Sequence, residues 1–192
     1  MTDTSGVNLP TARLQAVPDE WERTDERLDT DAFRRALAQF ATGVAIVSAH
    51  NPDGEPVGLT VNSFSSVSLS PPLVLFSVAR GAQSLPKLLR APGYAISVLS
   101  GGQEELSRRF GGRTGGGRWT AASHVVGQVK APLIEGAVAR FECEPYAAYD
   151  GGDHLILVGR VVAFEADESQ APLVFFRRGY HQLAAAPLYA AE

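Results

Sequence analysis

Apolar spacing along this chain changes character near Gly43. Before it, Ala32, Phe33, Ala36, Leu37 and Phe40 recur three and four apart, the spacing of an amphipathic helix. Asp29 or Thr30 caps its start, where acidic side chains also suit the helix dipole. Gly43 either ends this helix or sits in the turn just after it. Beyond Gly43 the texture is that of strands. The run 44–49 is short and apolar, and Asn51-Pro52-Asp53-Gly54 is a turn. Residues 57–69 read as one strand rich in Val, Thr and Ser, punctuated by Pro71-Pro72. Residues 73–79 are almost continuously apolar, which predicts burial on both faces. These pieces form an antiparallel meander.

Further along, 85–89 reads as a short helix with Ser84 as its cap and Pro86 in the first turn. Residues 94–99 form a strand and 103–110 a second short helix. Five glycines within 111–118 predict a mobile loop. Long strands are expected over 132–144 and 154–165, the second entered from the turn Asp150-Gly151-Gly152-Asp153, and 173–180 is a last strand or edge segment. The strands come mostly without helices between them, so a doubly wound parallel sheet, which needs regular alternation, is excluded. A closed or partly open antiparallel barrel fits better, because closure removes exposed edges. Residues 1–28 are polar and form an arm, either flexible or wrapped around a partner subunit. Residues 29–183 make one domain, and 184–192 are a tail.

Composition narrows the functional classes. The chain has 192 residues, 45% hydrophobic and 20% charged, as in an ordinary globular domain. A net charge of −4 provides no basic field for nucleic acid. Cys143 is the single cysteine, which excludes an internal disulfide and a Cys-x-x-Cys metal site. His50, His124, His154 and His181 lack the helical i, i+4 spacing of a zinc site, so no metal is expected. The polar start with Pro10 and Pro18 has no secretory pattern, and no apolar run nears the ~20 residues that span a bilayer. A cytoplasmic protein that meets no membrane is the default expectation.

Candidate chemistry concentrates in 58–77, where eight of twenty residues are Ser, Thr or Asn. On a continuous strand Thr60, Asn62 and Phe64 share one face, and Val61, Ser63 and Ser65 the other. Such hydroxyls either bind an extended polar ligand, such as a ribityl chain or a phosphate, or decorate a solvated face. The glycine loop could form an anion nest, with Arg113 and Arg118 as phosphate contacts. It lacks the Gly-Lys-[Ser/Thr] ending of a nucleotide triphosphate loop. No Gly-x-Ser-x-Gly nucleophile motif occurs. Arg177-Arg178 reads as a solvated pair, and Trp21 and Trp119 as packing or interface residues.

Four segments carry a family resemblance: Phe-Arg-Arg-Ala-Leu-Ala-Gln-Phe-Ala-Thr-Gly-Val at 33–44, Gly-Leu-Thr-Val-Asn-Ser-Phe-Ser-Ser-Val-Ser-Leu-Ser-Pro-Pro-Leu-Val at 58–74, the Gly-Asp-His motif of 152–162, and Phe-Phe-Arg-Arg-Gly-Tyr-His at 175–181. With these in order, the chain resembles the flavin reductase-like domain family. That family is an FMN-binding split barrel and includes small reductase components of two-component monooxygenases. The resemblance implies a mainly β fold: a six-stranded antiparallel Greek-key split β-barrel with a few short peripheral helices, usually a homodimer. It implies FMN or FAD as flavin, and NADH or NADPH as hydride donor. Reduced flavin would pass to a partner monooxygenase. It places Thr60, Val61, Asn62 and Ser63 at the flavin ring and ribityl chain, Ser77 and Val78 beside the ribityl and phosphate, and Ser84 at the phosphate. Ser107, Phe110, Gly111 and Arg113 match the segment that touches an adenosine moiety. His154, the one catalytic candidate, lies near the nicotinamide, and Tyr180 and His181 match a C-terminal aromatic region. Two alternatives remain open: a flavin- or haem-binding split barrel without reductase activity, and a pyridoxamine-phosphate-type oxidase using Arg108, Arg109 or Arg113 for phosphate.

Overall fold

A computed structural model describes residues 28–112 and 117–183; Arg113, nearly all of the N-terminal arm and the 184–192 tail lie outside the described residues. The chain order is α1 (Thr30–Leu37), β1 (Thr42–Gly43), β2 (Ala45–His50), β3 (Pro56–Val61), β4 (Ser65–Leu69), β5 (Pro72–Ala79), α2 (Leu85–Leu89) and β6 (Tyr94–Val98). Then come α3 (Glu104–Gly111), β7 (His124–Val126), β8 (Pro132–Ile134), β9 (Ala139–Gly151), β10 (His154–Ala166), β11 (Val174–Phe176) and β12 (Gly179–His181). Seven strands form the main sheet in the order β3-β2-β6-β9-β10-β5-β4. A three-stranded sheet, β1-β11-β12, and a two-stranded sheet, β7-β8, accompany it. Every pairing is antiparallel. The protein is mainly β, as its patterning predicts, but the described residues hold twelve strands in three sheets rather than six in one.

Apolar runs break where the pairing partner changes. Residues 57–69 are two strands, not one: β3 follows β2 from His50↔Pro56 to Ala45↔Val61, and β4 then joins β5 at Ser65↔Leu75. The 132–144 run splits likewise. β8 pairs with β7, whereas β9 lies between β6 and β10. Residues 173–180 fold into a hairpin, with Arg177 (φ 49) and Arg178 (φ 65) as its left-handed turn. Such turns usually take glycine or asparagine. Here Arg177 is held from outside: its amide donates to the Ala38 carbonyl (3.0 Å) and its Nε to Gln39 Oε1 (2.9 Å). It is therefore not a freely solvated pair member.

Two further expectations are corrected. Gly43 lies in β1, not at the helix end, and α1 closes at Ala38. Asp29 is the cap, its Oδ1 accepting from the amides of Asp31 (2.9 Å) and Ala32 (3.0 Å). The apolar stripe of α1 does not enter the core; Phe33, Leu37 and Phe40 are exposed. Ser84 precedes α2 but makes no side-chain cap bond, because its own backbone is already helical.

Both faces of β2 are buried, which explains the unbroken apolar run. Ala45, Val47 and Ala49 pack on one side with Val57 and Val61 of β3, Phe76 and Val78 of β5, and Leu157 of β10. The sheet therefore curls until its β3 and β5 sides share one core. Between them Ser63 Oγ accepts from the Ser77 amide (2.9 Å) and donates to the Ser77 carbonyl (3.3 Å), in place of a backbone ladder. On the other side of β2, Val44 and Ile46 meet Leu99, Phe110, Ile134 and Leu173. Cys143 is fully buried beside Gly159, where a Cβ would lie 2.8 Å from the cysteine Cβ. Burial first, then the Glu142 charge, pushes its thiol up to about 12, so it stays protonated and inert. No helix among the described residues is long and apolar enough to cross a membrane.

Candidate functional site

α3 builds one wall of the site. Its first turn carries Glu104 and Glu105, which pair four residues on with Arg108 and Arg109, so charge follows the helix dipole. Ser107 and Phe110 occupy the opposite, buried face. The Phe110 ring meets Trp119 edge to face at 4.9 Å. Both rings lie over Gly58 of β3, where an added Cβ would come within 2.7 Å of Phe110 and 2.9 Å of Trp119. Only a residue without a side chain lets α3 sit this close to the strand.

Polar side chains lock the same contact. Thr60 Oγ1 donates to the Ser107 carbonyl (2.7 Å), and Ser107 Oγ and the Tyr180 hydroxyl share a bond of 2.8 Å. The Arg108 guanidinium lies 4.9 Å from the centre of the Tyr180 ring. β3, α3 and β12 are thereby joined in series. Because Ser107 is fully buried, removing its partner strands a hydroxyl away from water. Tyr180→Phe is expected to cost about 1–3 kcal/mol. Urea unfolding checks this, and Ser107→Ala should remove most of the Tyr180→Phe penalty in the double variant.

Between β3, the turn after β5 and the end of α3 lies a cleft of about 420 Å³. Leu59 and Thr60 line it from β3, Gly81, Ala82, Gln83 and Ser84 from the turn, Phe110, Gly111 and Gly112 from α3, and Arg118 from beyond. Its size is that of a small-molecule site, usually about 300–1,000 Å³. Arg118 Nη2 donates to the Gly112 carbonyl, while its buried Nε has no partner among the described residues.

Thr60, Ser84, Phe110 and Gly111 of the sequence candidates line this cleft. Ser107 and Tyr180 stand behind its wall through the bonds just given. Val61 and Val78 are core residues, as is Phe110 apart from its edge on the cleft; the two valines can meet a ligand only through their backbone. Ser63 and Ser77 form the link between β3 and β5, and Asn62 is exposed next to it. His154 lies elsewhere, at the start of β10 opposite Ala79. Since Ser77 pairs with Ile156 in the same ladder, Ser77 and His154 share one face of the sheet. His154 Nδ1 bonds Asp153 Oδ1 at 2.7 Å. That hydrogen bond, with the histidine's charge, holds the Asp153 carboxyl below its ordinary value. His181 bonds the Phe176 carbonyl (3.1 Å) within its own hairpin. Arg113 falls outside the described residues.

Sequence reasoning missed the turn Gly81-Ala82-Gln83 and the role of Gly112. Only a polar stretch between an apolar strand and a short helix marked the turn. Of the phosphate residues that a pyridoxamine-phosphate-type oxidase would use, Arg108 and Arg109 are paired with Glu104 and Glu105, and Arg113 lies outside the described residues. Among the described residues no group of three or more His, Cys, Asp or Glu could hold a metal.

Comparison with known proteins supplies the relatives. The family model for the flavin reductase-like domain matches residues 37–184. The chain is 46% identical over 145 residues to the NADH-dependent FMN reductase SmoA of Agrobacterium fabrum, covering 75% of this chain and 80% of that protein. It is 42% identical over 153 residues to the reductase component of 4-hydroxyphenylacetate 3-monooxygenase from Thermus thermophilus, covering 80% and 96%. Among solved structures, the NADH:FAD oxidoreductase of Streptomyces globisporus in complex with NAD and FAD fragments superposes with a TM-score of 0.78 at 38% identity, covering 82% of this chain and 94% of that one. With its matched domain, its curled antiparallel sheet and the cleft beside α3, the chain belongs to the flavin reductase-like domain family.

Proposed function

We propose that the chain is an NAD(P)H-dependent flavin reductase that reduces FMN or FAD and passes the reduced flavin to a partner monooxygenase. The observation that carries this reading is the cleft between β3, the 81–84 turn and α3. It combines an apolar wall, Leu59 and Phe110, with hydroxyls, Thr60 and Ser84, and close backbone at Gly81, Gly111 and Gly112. A flavin has matching parts: a flat apolar ring system, a hydroxylated chain and a phosphate.

Flavin and nicotinamide, once bound, supply the hydride transfer between them. The protein's task is to hold and align. Glycine backbone at 111–112 admits close approach of a ligand chain. Asn62, Ser63 and Ser77 stand near the β3–β5 junction, where amides and hydroxyls can stabilise charge that grows on a reduced ring. His154 orients the dinucleotide from the neighbouring sheet face; the Asp153 carboxylate fixes its ring through Nδ1. No side chain in this arrangement is required as an acid, and no covalent link holds the flavin, which suits a flavin that must leave.

In the same reading the curled sheet is a split barrel, with Ser63 and Ser77 bridging the split. Two copies of the chain pair, which would cover Phe33 and Leu37 of α1 and Phe40 just after it, and the protein works in the cytoplasm, where NADH is made. Purified protein given NADH or NADPH with FMN, FAD or riboflavin should oxidise the nicotinamide only when flavin is present. Absence of flavin-dependent oxidation with every pairing rejects the reductase. Tight flavin retention without such oxidation would favour the binding-module alternative instead.

A further inference from the structure

α1 and the turn after it carry an apolar row that the described residues leave open. Phe33, Leu37 and Phe40, spaced four and three apart, are 47%, 58% and 78% exposed, and no residue of the helix is buried. A single exposed leucine is ordinary, but three large side chains in one row mark a contact surface. Arginines border the row. Arg34 and Arg35 sit beside it on the helix, meeting Asp31 and Asp29 only at 3.7 Å. Arg177 and Arg178 lie at its far end, where the Arg177 amide and Nε bond Ala38 and Gln39. These four arginines outnumber the two aspartates of the helix, so the border is positive.

The segment that precedes α1 has the opposite chemistry. Residues 19–26 read Asp-Glu-Trp-Glu-Arg-Thr-Asp-Glu, five carboxylates and one arginine around a tryptophan. Such a segment fits a positive face with an apolar row: the indole covers the row, and the carboxylates meet the arginines. A return onto its own helix is disfavoured. Between Trp21 and the Asp29 cap there is no glycine, proline or asparagine to make a tight turn, and Asp29 enters α1 extended, with ψ 101. Reach to a neighbouring chain is ample. The eight residues from Trp21 to Asp29 extend over about 26 Å, whereas α1 is only about 12 Å long.

We propose that residues 19–26 of each chain lie across α1 of a second copy, with Trp21 on Phe33 and Leu37 and the carboxylates against Arg34, Arg35 and Arg178. This rests on the pairing of two copies and names what covers the row. The exchange is reciprocal, since the same segment and the same helix meet twice about a twofold axis. Burial of the indole supplies affinity, and the charges set register and choice of partner. The matched family domain begins at residue 37, so the contact belongs largely to the part of the chain that precedes it.

The one native cysteine, Cys143, is buried, so introduced thiols report cleanly. Full-length Glu22→Cys protein, which keeps Trp21, is mixed with Ala36→Cys protein and mildly oxidised. A disulfide-linked pair should form on a non-reducing gel. Glu22→Cys mixed with Leu69→Cys, whose leucine is 95% exposed on the edge strand β4, should link far less. Equal linkage in both mixtures overturns the proposal. So does a Glu22→Cys, Ala36→Cys double variant whose disulfide closes within one chain, which would put the segment on its own helix. As a second measurement, Trp21→Ala should raise the dimer dissociation constant roughly 10- to 100-fold by sedimentation, with further loosening in high salt. An unchanged dissociation constant also overturns it. A native protein that is monomeric rejects the pairing itself, and this contact with it. Flavin-dependent NADH oxidation by the same samples tests the reductase reading separately.

Discussion

Phe110→Ala is expected to destabilise the protein by about 3–5 kcal/mol and to weaken flavin binding in whatever fraction stays folded. Phe110 is 2% exposed and packs in the core on the α3 side of β2. Its loss opens a hole between Val44, Ile46 and Ile134 and removes the edge-to-face partner of Trp119. For a chain of this size that lowers Tm by roughly 6 to 20 °C. The functional part of the effect follows from position. Phe110 lines the cleft and spaces α3 from β3, so its removal lets Gly111 and Gly112 shift. Gly58→Ala attacks the same contact from below by overpacking it, and pairing it with Phe110→Leu should restore part of the loss, because the smaller side chain vacates the space the new methyl needs. Thermal unfolding gives the stability change and fluorescence titration with FMN the site effect. A Phe110→Ala protein with native flavin affinity would detach this wall from the site.

Phe76→Ala should cost a similar 3–5 kcal/mol and leave flavin affinity of the folded protein where it was. Phe76 is fully buried in the other core, inside the curl, edge-on to Tyr94 at 5.5 Å. Burial raises the Tyr94 phenol well above its ordinary pKa, so that ring stays a neutral packing partner at any working pH. Removing Phe76 weakens the contact between the β5 and β3 sides of the sheet, but Phe76 itself does not line the cleft. The two variants thus separate core from site: equal losses in urea unfolding, unequal losses in flavin titration. Equal losses in both would mean that the cleft depends on the whole curl rather than on α3 alone.

Much of this fold was legible in the amino-acid order, for local reasons. Asn51 to Gly54 announces its turn because Asn51 Oδ1 accepts the Glu55 amide (2.8 Å) and Gly54 takes φ +81. The hairpin at Gly152 is marked the same way, with Asp150 Oδ1 accepting the Gly152 amide. What stayed hidden depends on distant partners. Nothing between Val57 and Leu69 says that the strand leaves β2 and joins β5 at Asn62 to Phe64, since all thirteen residues suit a strand. The stripe on α1 has the right spacing for a core helix and is exposed all the same. The hydroxyl cluster of 58–77 does not stay together in space. Only Thr60 of it lines the cleft, Ser63 ties two strands, and Ser65 and Ser66 sit on an exposed edge. Arg118 is named from the glycine loop alone, but its unpaired nitrogen and its place in the cleft are invisible in a string of letters.

The strand order of the main sheet also governs how the chain can reach this state. Three hairpins, β2–β3, β4–β5 and β9–β10, join near neighbours and can form early. The seams between them do not: β6 must recruit β9, and β10 must find β5, aligning residues as remote as Arg160 and Leu73. Each seam closes a long loop before its contacts repay the entropy, so folding belongs in the millisecond-to-second range rather than the microsecond range of helical bundles. Until the last seam closes, β5 offers an apolar edge to any neighbouring chain. Dilution and a short residence of nascent chains in that open state therefore matter more to the yield of this protein than the strength of its finished core.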